Sequence, residues 1–344
     1  MSIEGYECYF VFMDNFLTWV ERYTEKRLTK RKSKRVYNKT KKRTFLSETL
    51  EWLDALAFGV FWVIIINQFL FQLFVIPSPS MVSTLLVGDR VVVNKTSYGI
   101  ELYPTGPKLF ESERRVQRDD IITFYNPEYD SRGPFFDILS QALYMGTLSL
   151  VNIDRDSDGN VRERLFVKRA AALSGDRVQF VNGNVYIKAA GSGEYVEENE
   201  FRTSNGLSTA PSRSVDTSLY DALKAVARIE AYIEKDLSYP NYLVKEYSAM
   251  SGTDYDYKFD LYEFNRAYYE ELTFIDPSDR EARSSSSKYT TGIYVPDGSV
   301  LPLGDNRDNS QDGRYFGPVS EDNINGMVVA RFWPLNRIAV LTDD

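Results

Sequence analysis

The sequence predicts a mainly β domain that follows one N-terminal membrane-spanning helix and carries an α-rich insertion. Three observations support this fold class: a long uncharged apolar run, a series of short β-branched and aromatic segments after it, and a later block with helical periodicity. The 344 residues are enough for such an arrangement with a substantial core. The predicted parts are a basic N-terminal segment (1–54), the membrane helix (55–76), the β domain in two pieces (77–189 and 299–344) and the insertion (190–298).

Positive charge is concentrated just before the apolar run. Residues 22–43 contain 12 lysines and arginines and a single acid, Glu25, whereas the whole chain has a net charge of −8. Lysine and arginine beside a span favour the cytoplasmic side. The pattern therefore predicts a single-pass protein of the cytoplasmic (inner) membrane, with a cytoplasmic N-terminus and residues 77–344 extracytoplasmic. A solvated linker and a nucleic-acid patch are the alternatives. A nearby span explains the same charges through anionic lipids, so no nucleic-acid partner is expected.

The apolar run itself, residues 55–76, is 22 residues long and has no charged side chain. As a helix it would be about 33 Å long, which is enough to cross the hydrocarbon core of a bilayer. The alternative is a buried core helix, but the uncharged length exceeds that of an ordinary core helix and a basic block flanks it. The lipid bilayer is therefore an expected partner.

After residue 77 the pattern is mostly that of short strands bounded by turn residues. Asn182 and Gly183 between two of these strands predict a hairpin. Residues 125–164 show no such pattern and are expected to form loops. The predicted strands are residues 90–94, 120–124, 165–173, 177–181, 184–188, 299–303 and 327–333.

The block from 190 to 298 has a different character. Apolar residues recur at helical spacing in 219–237, and the tyrosine-rich stretch 255–274 predicts a second helix. The serine run at 284–288 predicts a flexible link between elements. These features indicate a partly helical insertion with a small aromatic core.

The chain contains no histidine and one cysteine, Cys8. These absences exclude a Ser-His-Asp triad, a Cys-His pair, a histidine-based zinc site, a cysteine metal cluster and an internal disulfide. Any acid–base chemistry must therefore use lysine, tyrosine, aspartate or glutamate. No metal and no other cofactor are expected.

A serine-proline stretch follows the apolar run, and in it Ser78 and Ser80 alternate with prolines. A serine hydroxyl is a weak nucleophile without a neighbouring base, and a chain without histidine leaves lysine for that task. A lysine acts as a base only when neutral, which requires burial that lowers its pKa by about 3 units. Lys168, within the apolar segment 165–173, fits better than Lys95, which ends a strand beside a turn. On its own, Lys168 is more typical of an edge lysine whose amine reaches solvent.

A dense polar segment, GDNRDNSQDGRYFG at 304–317, follows the predicted strand 299–303. Its composition excludes a strand interior, and its acids and arginines are able to hold one another by charge-assisted hydrogen bonds. A polar surface turn is the alternative interpretation.

Four motifs in this order resemble the sequence boxes of type I signal peptidases. PSPSMVSTLLVGDRVVVNK (77–95) resembles their serine-containing box, RDDIITF (118–124) their next strand, VKRAAALSGDRV (167–178) their lysine box, and residues 304–317 their C-terminal box. The resemblance covers residues 55–125, 165–188 and 299–333. It implies a signal-peptidase-like, mainly β catalytic fold that removes signal peptides from exported preproteins at the membrane surface.

The same resemblance implies a role for each matching residue. It implies Ser80 as the nucleophile, Lys168 as the general base, and Ser78 as the oxyanion-hole hydroxyl beside the Ser80 backbone N–H. Ser310 looks like the residue that orients the lysine amine. The implied supporting network is Asp305, Arg307, Asp312 and Arg314, and pockets for the small side chains of an A-x-A cleavage site are implied at Ile76, Pro77, Met81, Leu85, Phe166 and Val167. The implied partners are signal peptides of exported preproteins and the secretion translocon.

Three positions depart from the pattern common in that family. Ser83 and Ser174 stand where proline is common, and Gly313 stands where serine is common. None of these departures removes a reacting group. Gly313 is expected to loosen the segment that holds Ser310, which would lower efficiency without changing the reaction.

Three rival interpretations are open. A self-cleaving repressor would share the chemistry, but it needs a DNA-binding domain where this chain has an apolar span. A penicillin-binding protein would use Ser285-x-x-Lys288, but its partner motifs are missing and a serine run produces that spacing. The third is a catalytically decayed membrane-anchored assembly or docking factor on the same fold, and intact Ser80, Lys168 and Ser310 argue against it.

Overall fold

The computed structural model of the chain describes residues 18–31, 45–101, 103, 106–110, 112–147, 151–159, 161–207, 211–213, 215–248 and 260–342. The chain divides into two compact units, Met1–Phe61 and Trp62–Asp344. The segment 190–298 lies in the second unit together with the β domain. The insertion is therefore not a compact unit of its own.

The described part of the first unit is helical. Helix α1 covers residues 18–31, and helix α2, Phe45–Phe69, begins in this unit and continues into the second. Arg27 joins the two helices, since its guanidinium donates to Asp54 at 2.9 Å. Among the described helices, α2 alone is long and apolar enough to cross a membrane, over Glu48–Phe69, and none of that apolar window is buried.

The apolar helix ends earlier than the sequence predicts. The prediction extends it to residue 76, whereas α2 ends at Phe69 and Phe71–Val75 form strand β1. β1 pairs antiparallel with β2, Arg90–Asn94, so a neighbouring strand satisfies its backbone groups. A continuous apolar stretch has no periodicity that separates helix from strand, which explains the error.

The remaining strands form one large sheet and two small ones. They are β3 Ile100–Glu101, β4 Lys108–Phe110, β5 Ile121–Tyr125, β6 Leu165–Leu173, β7 Arg177–Val181, β8 Asn184–Lys188, β9 Val196–Glu197, β10 Ile293–Tyr294, β11 Ser299–Leu303, β12 Val319–Ser320, β13 Ile324–Trp333 and β14 Ala339–Val340. The large sheet has eight strands in the order β1-β2-β13-β5-β6-β11-β12, with β14 paired to β13. The small sheets are β3-β4 and β10-β7-β8-β9. β6 lies inside the large sheet, which explains its apolar sequence.

These strands confirm the mainly β prediction. Five predicted strands match β2, β6, β7, β8 and β11 to the residue, while β5 is shifted by one residue and β13 begins three residues early. The predicted hairpin joins β7 and β8. Asn182 and Gly183 at its tip have φ values of 50° and 70°, as a type I′ turn requires.

Helix α3, Pro134–Gly146, lies in the stretch that the sequence predicts to be loop, and that prediction is wrong. The helix turns polar side chains inward: Asp137 and Ser140 are buried, whereas Phe135 is 82 % exposed. Arg164 donates to the carbonyl oxygen of Asp137 and to the hydroxyl of Ser140. The burial pattern is the reverse of that of an ordinary surface helix.

The insertion is largely helical. Its helices are α4 Glu198–Ser204, α5 Tyr220–Glu234, α6 Asn241–Tyr247, α7 Leu261–Ile275 and α8 Arg280–Thr290, and α9, Gly313–Phe316, follows β11. The serine run 284–288 lies inside α8, so the prediction of a flexible link is wrong. Asp279 starts this helix by accepting hydrogen bonds from the N–H groups of Glu281 and Ala282, and the run continues it.

A hydrophobic cluster fixes the loop after β1 to the large sheet. Its fully or nearly fully buried members include Ile76, Met81 and Leu85 from that loop, Val91 from β2 and Val167 from β6. Burial of several such side chains stabilises a loop by about 1.5–3 kcal/mol for each of them. The polar residues that precede Met81 are thereby held against β6.

Candidate active site

Ser80 lies on a tight turn after β1. Pro79–Met81 form a single 3₁₀ turn with Pro79 in its first position, and Ser78 before it is extended. Proline fixes its own φ near −65° and favours an extended residue before it, so the sequence sets this geometry locally. Met81 is 1 % exposed and anchors the turn, and Ser80 is 7 % exposed. The nucleophile candidate is therefore held in one position.

Lys168 lies in the middle of β6, opposite Ile122 of β5. Apolar residues surround it along the strand, and its side chain is 3 % exposed. Its Nζ donates a hydrogen bond of 2.7 Å to Ser80 Oγ, across 88 positions of sequence. The fold thus brings together the serine and the lysine that the sequence singled out.

Burial lowers the pKa of the Lys168 amine from 10.5 to about 8, because desolvation penalises the charged form. The carboxylates of Asp312, Glu163 and Asp305 raise this pKa, whereas Arg314 adds to the lowering. With a pKa of about 8, roughly a tenth of the amine is neutral at pH 7, against about 0.03 % for an ordinary lysine. The amine can therefore accept a proton near neutral pH.

A cleft lies beside these residues, with about 270 Å³ of empty space that is partly open to solvent. Five of the six predicted pocket residues line it: Ile76, Pro77, Met81, Phe166 and Val167. Ser78, Ser80 and Lys168 line it as well, and so do Phe74, Glu163 and Leu165, which the sequence reasoning missed. Ser78 Oγ lies 3.4 Å from Ser80 Oγ, so both hydroxyls face the same space.

Two residues considered from sequence lie elsewhere. Leu85 does not line the cleft, because it is fully buried in the cluster beneath, with Ile76 and Met81. It supports the cleft floor from below. The rival base Lys95 is also buried, at 1 % exposure, but it does not line the cleft either. Lys168 is the one lysine among the described residues that surround this space.

The residue after Lys168 joins β6 to the C-terminal polar segment. Arg169 donates two hydrogen bonds of 2.7 Å to the two carboxylate oxygens of Asp305, and one of 3.2 Å to Asp119. Asp305 also accepts from Thr84 at 2.5 Å. Burial alone would raise the pKa of Asp305, but the contacts with Arg169 outweigh it and lower that pKa. Asp305 therefore stays ionised.

Asp312 and Arg314 form a second buried pair within the same segment. Arg314 donates to Asp312 at 2.9 and 3.0 Å, and the backbone N–H of Gly304 donates to it at 2.9 Å. Burial opposes ionisation of Asp312, but Arg314 and the Gly304 N–H lower its pKa. The pair closes the polar segment into a compact loop.

Ser310 lies beside Gly304 and the main chain of Ser80. A Cβ atom on Gly304 would overlap the Ser310 hydroxyl and lie 2.6 Å from the carbonyl oxygen of Ser80. Only glycine therefore permits this close approach. The Ser310 hydroxyl is buried and makes no hydrogen bond to any described residue, so the predicted contact with the amine of Lys168 is not formed in this structure.

Gly313 is packed more closely than its departure from the family pattern suggests. A Cβ atom there would lie 2.6 Å from the Leu301 side chain and 2.8 Å from the carbonyl oxygen of Pro302. The serine common in the family would not fit without displacement of β11. The expectation of a loosened segment is not met, because glycine allows α9 to pack directly on that strand.

Sequence reasoning missed most of the charges that support the site. Arg202 donates to both carboxylate oxygens of Asp119, at 2.7 and 2.5 Å. Arg307 likewise donates to both carboxylate oxygens of Glu198, at 3.1 and 2.5 Å. Arg202 and Glu198 lie 3.9 Å apart. We call the series Asp305, Arg169, Asp119, Arg202, Glu198 and Arg307 the ion-pair chain; each of its side chains is at most 6 % exposed. Asp305 and Arg307 were predicted as supporting residues, and among the four missed residues Arg169, inside an otherwise apolar strand, gave the one detectable signal.

A mainly β fold with a buried serine and a buried lysine in contact at an apolar cleft is that of a serine protease. The sequence model of the family described as "Signal peptidase, peptidase S26" matches residues 49–333. The chain belongs to this family of signal peptidases, enzymes that remove signal peptides.

Three relatives illustrate the similarity. The chain is 27 % identical to signal peptidase I of Haemophilus influenzae over 288 residues, which cover 82 % of this chain and 68 % of the relative. It is 26 % identical to signal peptidase I of Buchnera aphidicola, with 86 % of this chain and 77 % of the relative covered. For signal peptidase I of Aquifex aeolicus the identity is 26 %, with 77 % and 76 % covered.

Proposed function

We propose that the chain is a membrane-bound serine endopeptidase that uses Ser80 as nucleophile and Lys168 as general base to remove signal peptides from exported preproteins. The observation that carries this proposal is the 2.7 Å contact between Lys168 Nζ and Ser80 Oγ in a water-poor site. A lysine placed in this way, with its pKa lowered to about 8, activates a serine without histidine.

The first step is acylation. The neutral amine of Lys168 accepts the proton of the Ser80 hydroxyl while Ser80 Oγ bonds to the scissile carbonyl carbon. The resulting ammonium then donates that proton to the leaving amine as the peptide bond breaks. In deacylation the same amine takes a proton from water as the water oxygen bonds to the ester carbonyl carbon. The ammonium then returns that proton to Ser80 Oγ as the ester bond breaks and the new carboxylate leaves.

The negative oxygen formed in each step needs hydrogen-bond donors. We assign this role to the Ser78 hydroxyl, 3.4 Å from Ser80 Oγ, and to the Ser80 backbone N–H. The rigid turn around Pro79 supports the assignment, because donors fixed in advance cost no reorganisation during reaction. Ser78→Ala should lower the cleavage rate by roughly 10²–10³-fold.

The shape of the cleft favours small apolar side chains next to the cut. Beside the reacting groups the walls of the cleft are formed by Ile76, Phe166 and Val167, each of which is almost fully buried. Alanine-sized residues fit such a space, and larger ones would displace buried neighbours. The proposed substrate class is therefore preproteins with an A-x-A-like cleavage site.

The membrane location is proposed from α2 and the charges before it. Residue Phe69 ends the candidate span, and Phe74 already lines the cleft, so the site would lie close to the membrane surface. The basic block 22–43 favours a cytoplasmic N-terminus, which makes the catalytic domain extracytoplasmic. Signal peptides, lipid and the secretion translocon are the partners proposed in this arrangement.

Reconstituted full-length protein and a synthetic preprotein test the proposal, with mass spectrometry of the cut position. Ser80→Ala and Lys168→Met should each abolish cleavage, whereas the controls Ser83→Ala and Lys188→Met should retain it. Full activity of either dyad variant would refute the assignment. A mechanism-based serine reagent that leaves Ser80 unmodified in the wild type would favour the decayed docking factor instead.

A further inference from the structure

The start of the insertion reaches the reacting residues through buried contacts. Glu198 and Arg202 on α4 are each 4 % exposed, although α4 lies outside the four motifs that mark the enzyme. We infer that Glu198, Arg202 and Ser212 are positioning residues for the dyad Ser80–Lys168, so that the insertion is part of the catalytic machinery. The inference rests on the proposed function of that dyad.

Arg202 acts on the strand that carries the base. It donates to both carboxylate oxygens of Asp119, and one of these oxygens, Oδ2, also accepts a hydrogen bond of 3.2 Å from Arg169. Asp119 has a φ of 76°, an unfavourable conformation for a residue with a side chain, and its ion pairs hold it there. Arg169 forms ion pairs with both Asp119 and Asp305. These ion pairs fix the orientation of β6 at the adjacent Lys168.

Glu198 acts on the polar segment that packs against the nucleophile. Its carboxylate receives both branches of the Arg307 guanidinium, a bidentate geometry that fixes direction as well as distance. Arg307 in turn donates to the carbonyl oxygen of Gly304. Gly304 is the residue that lies between the Ser310 hydroxyl and the carbonyl oxygen of Ser80. Displacement of Arg307 would therefore be transmitted to the turn that carries Ser80.

Ser212 makes the most direct link. Its hydroxyl donates to the carbonyl oxygen of Val82, two residues after the nucleophile, at 2.6 Å. Its backbone N–H donates to Asp305 at 2.8 Å, and its carbonyl oxygen accepts from Arg307 at 3.1 Å. The neighbouring Asn306 N–H donates to the carbonyl oxygen of Ser80 at 3.0 Å. The insertion thus bridges the nucleophile turn and the polar segment.

The ion-pair chain alternates three acids with three arginines, and loss of either insertion residue changes its charge in a known direction. The charged groups that act on Lys168 are Asp312, Glu163 and Asp305, which raise its pKa, and Arg314, which lowers it. Without Arg202, Asp119 has Arg169 as its remaining arginine partner, so Arg169 neutralises the charge of Asp305 less completely. Without Glu198, the Arg307 charge is uncompensated. The two losses should therefore move the pKa of Lys168 in opposite directions.

The test uses the full chain in proteoliposomes, with kcat and KM for a synthetic preprotein measured from pH 6 to pH 10. Arg202→Gln should move the acidic midpoint of kcat to higher pH, and Glu198→Gln should move it to lower pH. A shift of half a unit corresponds to about a threefold change in rate on the acidic limb. The control Glu200→Gln, on the exposed face of the same helix, should leave the midpoint unchanged.

Two further variants separate positioning from folding. Arg202→Lys keeps the charge and should restore the midpoint of the wild type even if its rate is reduced, while Ser212→Ala should lower kcat several-fold with KM unchanged. Thermal unfolding of each variant reports the folded fraction. Folded Arg202→Gln and Glu198→Gln proteins with wild-type midpoints would overturn the inference while Ser80→Ala and Lys168→Met remain inactive. Activity of those dyad variants would instead overturn the proposed function.

Discussion

The lowered pKa of Lys168 predicts a specific dependence of cleavage on pH. Only the neutral amine accepts the serine proton, so kcat should follow the neutral fraction of Lys168. With a pKa of about 8, that fraction rises from about a tenth at pH 7 to about nine tenths at pH 9, a tenfold increase followed by a plateau. An ordinary lysine would give a roughly 100-fold increase over the same range and no plateau below pH 10.

The assay is cleavage of a synthetic preprotein by reconstituted enzyme under single-turnover conditions, so that chemistry and not product release is measured. A plateau with a midpoint near pH 8 supports the reasoning. A log rate that still climbs with unit slope through pH 9.5 refutes it. Glu163→Gln adds a matched test, because removal of a carboxylate that raises the pKa of Lys168 should move the midpoint to lower pH.

The same pKa has a consequence for stability. Between pH 8 and 10.5 the unfolded chain binds a proton at Lys168 that the folded chain does not, so stability rises with pH across this window. Below it, the buried ammonium destabilises the fold by about 3 kcal/mol. Lys168→Met should therefore be inactive yet more stable at pH 7 by up to about 3 kcal/mol, with the gap narrowing by about 2 kcal/mol at pH 9.5. Denaturant titrations in detergent at both pH values measure this, and a gap that does not change with pH would contradict it.

Four further substitutions test the packing near the site and in α3. Gly304→Ala should reduce kcat by at least about 10-fold and also destabilise the fold by about 1–3 kcal/mol, because a methyl group would push the Ser310 hydroxyl and the nucleophile turn apart. Gly313→Ser should destabilise the fold by about 1–3 kcal/mol in denaturant titrations, since the site is already filled. Asp137→Ala should cost about 2–4 kcal/mol of unfolding free energy, whereas Phe135→Ser should change it by less than about 0.5 kcal/mol. A larger loss for Phe135→Ser would contradict the inward polar face of α3.

The proposed pair of Ser80 and Lys168 could be selected from the sequence because the composition narrowed the choice of base to a few residues. A chain without histidine needs another base, and Lys168 stands in a strand whose other residues, apart from Arg169, are apolar. The strands themselves were predictable for a related reason. Short β-branched and aromatic runs bounded by turn residues favour strands, and five of the predicted strands match the structure to the residue.

The errors arose where tertiary contacts overrode the local pattern. β1 is uncharged like the helix before it, and only its pairing with β2 makes it a strand. α3 buries Asp137 and Ser140 because Arg164 donates hydrogen bonds to them. Hydrophobic periodicity would instead predict that the apolar side chains of this helix are buried. No local signal in either stretch identifies the distant partner that decides its structure.

Four of the six residues of the ion-pair chain were missed for a similar reason. The chain draws on four separate stretches of sequence, and no fixed spacing marks a salt bridge between residues about a hundred positions apart. Asp119 illustrates the difficulty. It has a left-handed backbone conformation in the turn before β5 and accepts hydrogen bonds from two arginines, one of which, Arg202, belongs to the insertion.

The arrangement of charges explains how the pKa of Lys168 stays low beside a segment rich in carboxylates. Asp305 and Asp312 both raise the pKa of Lys168, and unopposed they would keep its amine protonated near neutral pH. Each is instead paired through two short hydrogen bonds with an arginine, Arg169 or Arg314. Desolvation therefore remains the largest influence on the pKa of the Lys168 amine. In the proposed mechanism the role of the arginines is to neutralise the acids that hold the polar segment together. For Arg169 the ion pairs extend through Asp119 into the insertion.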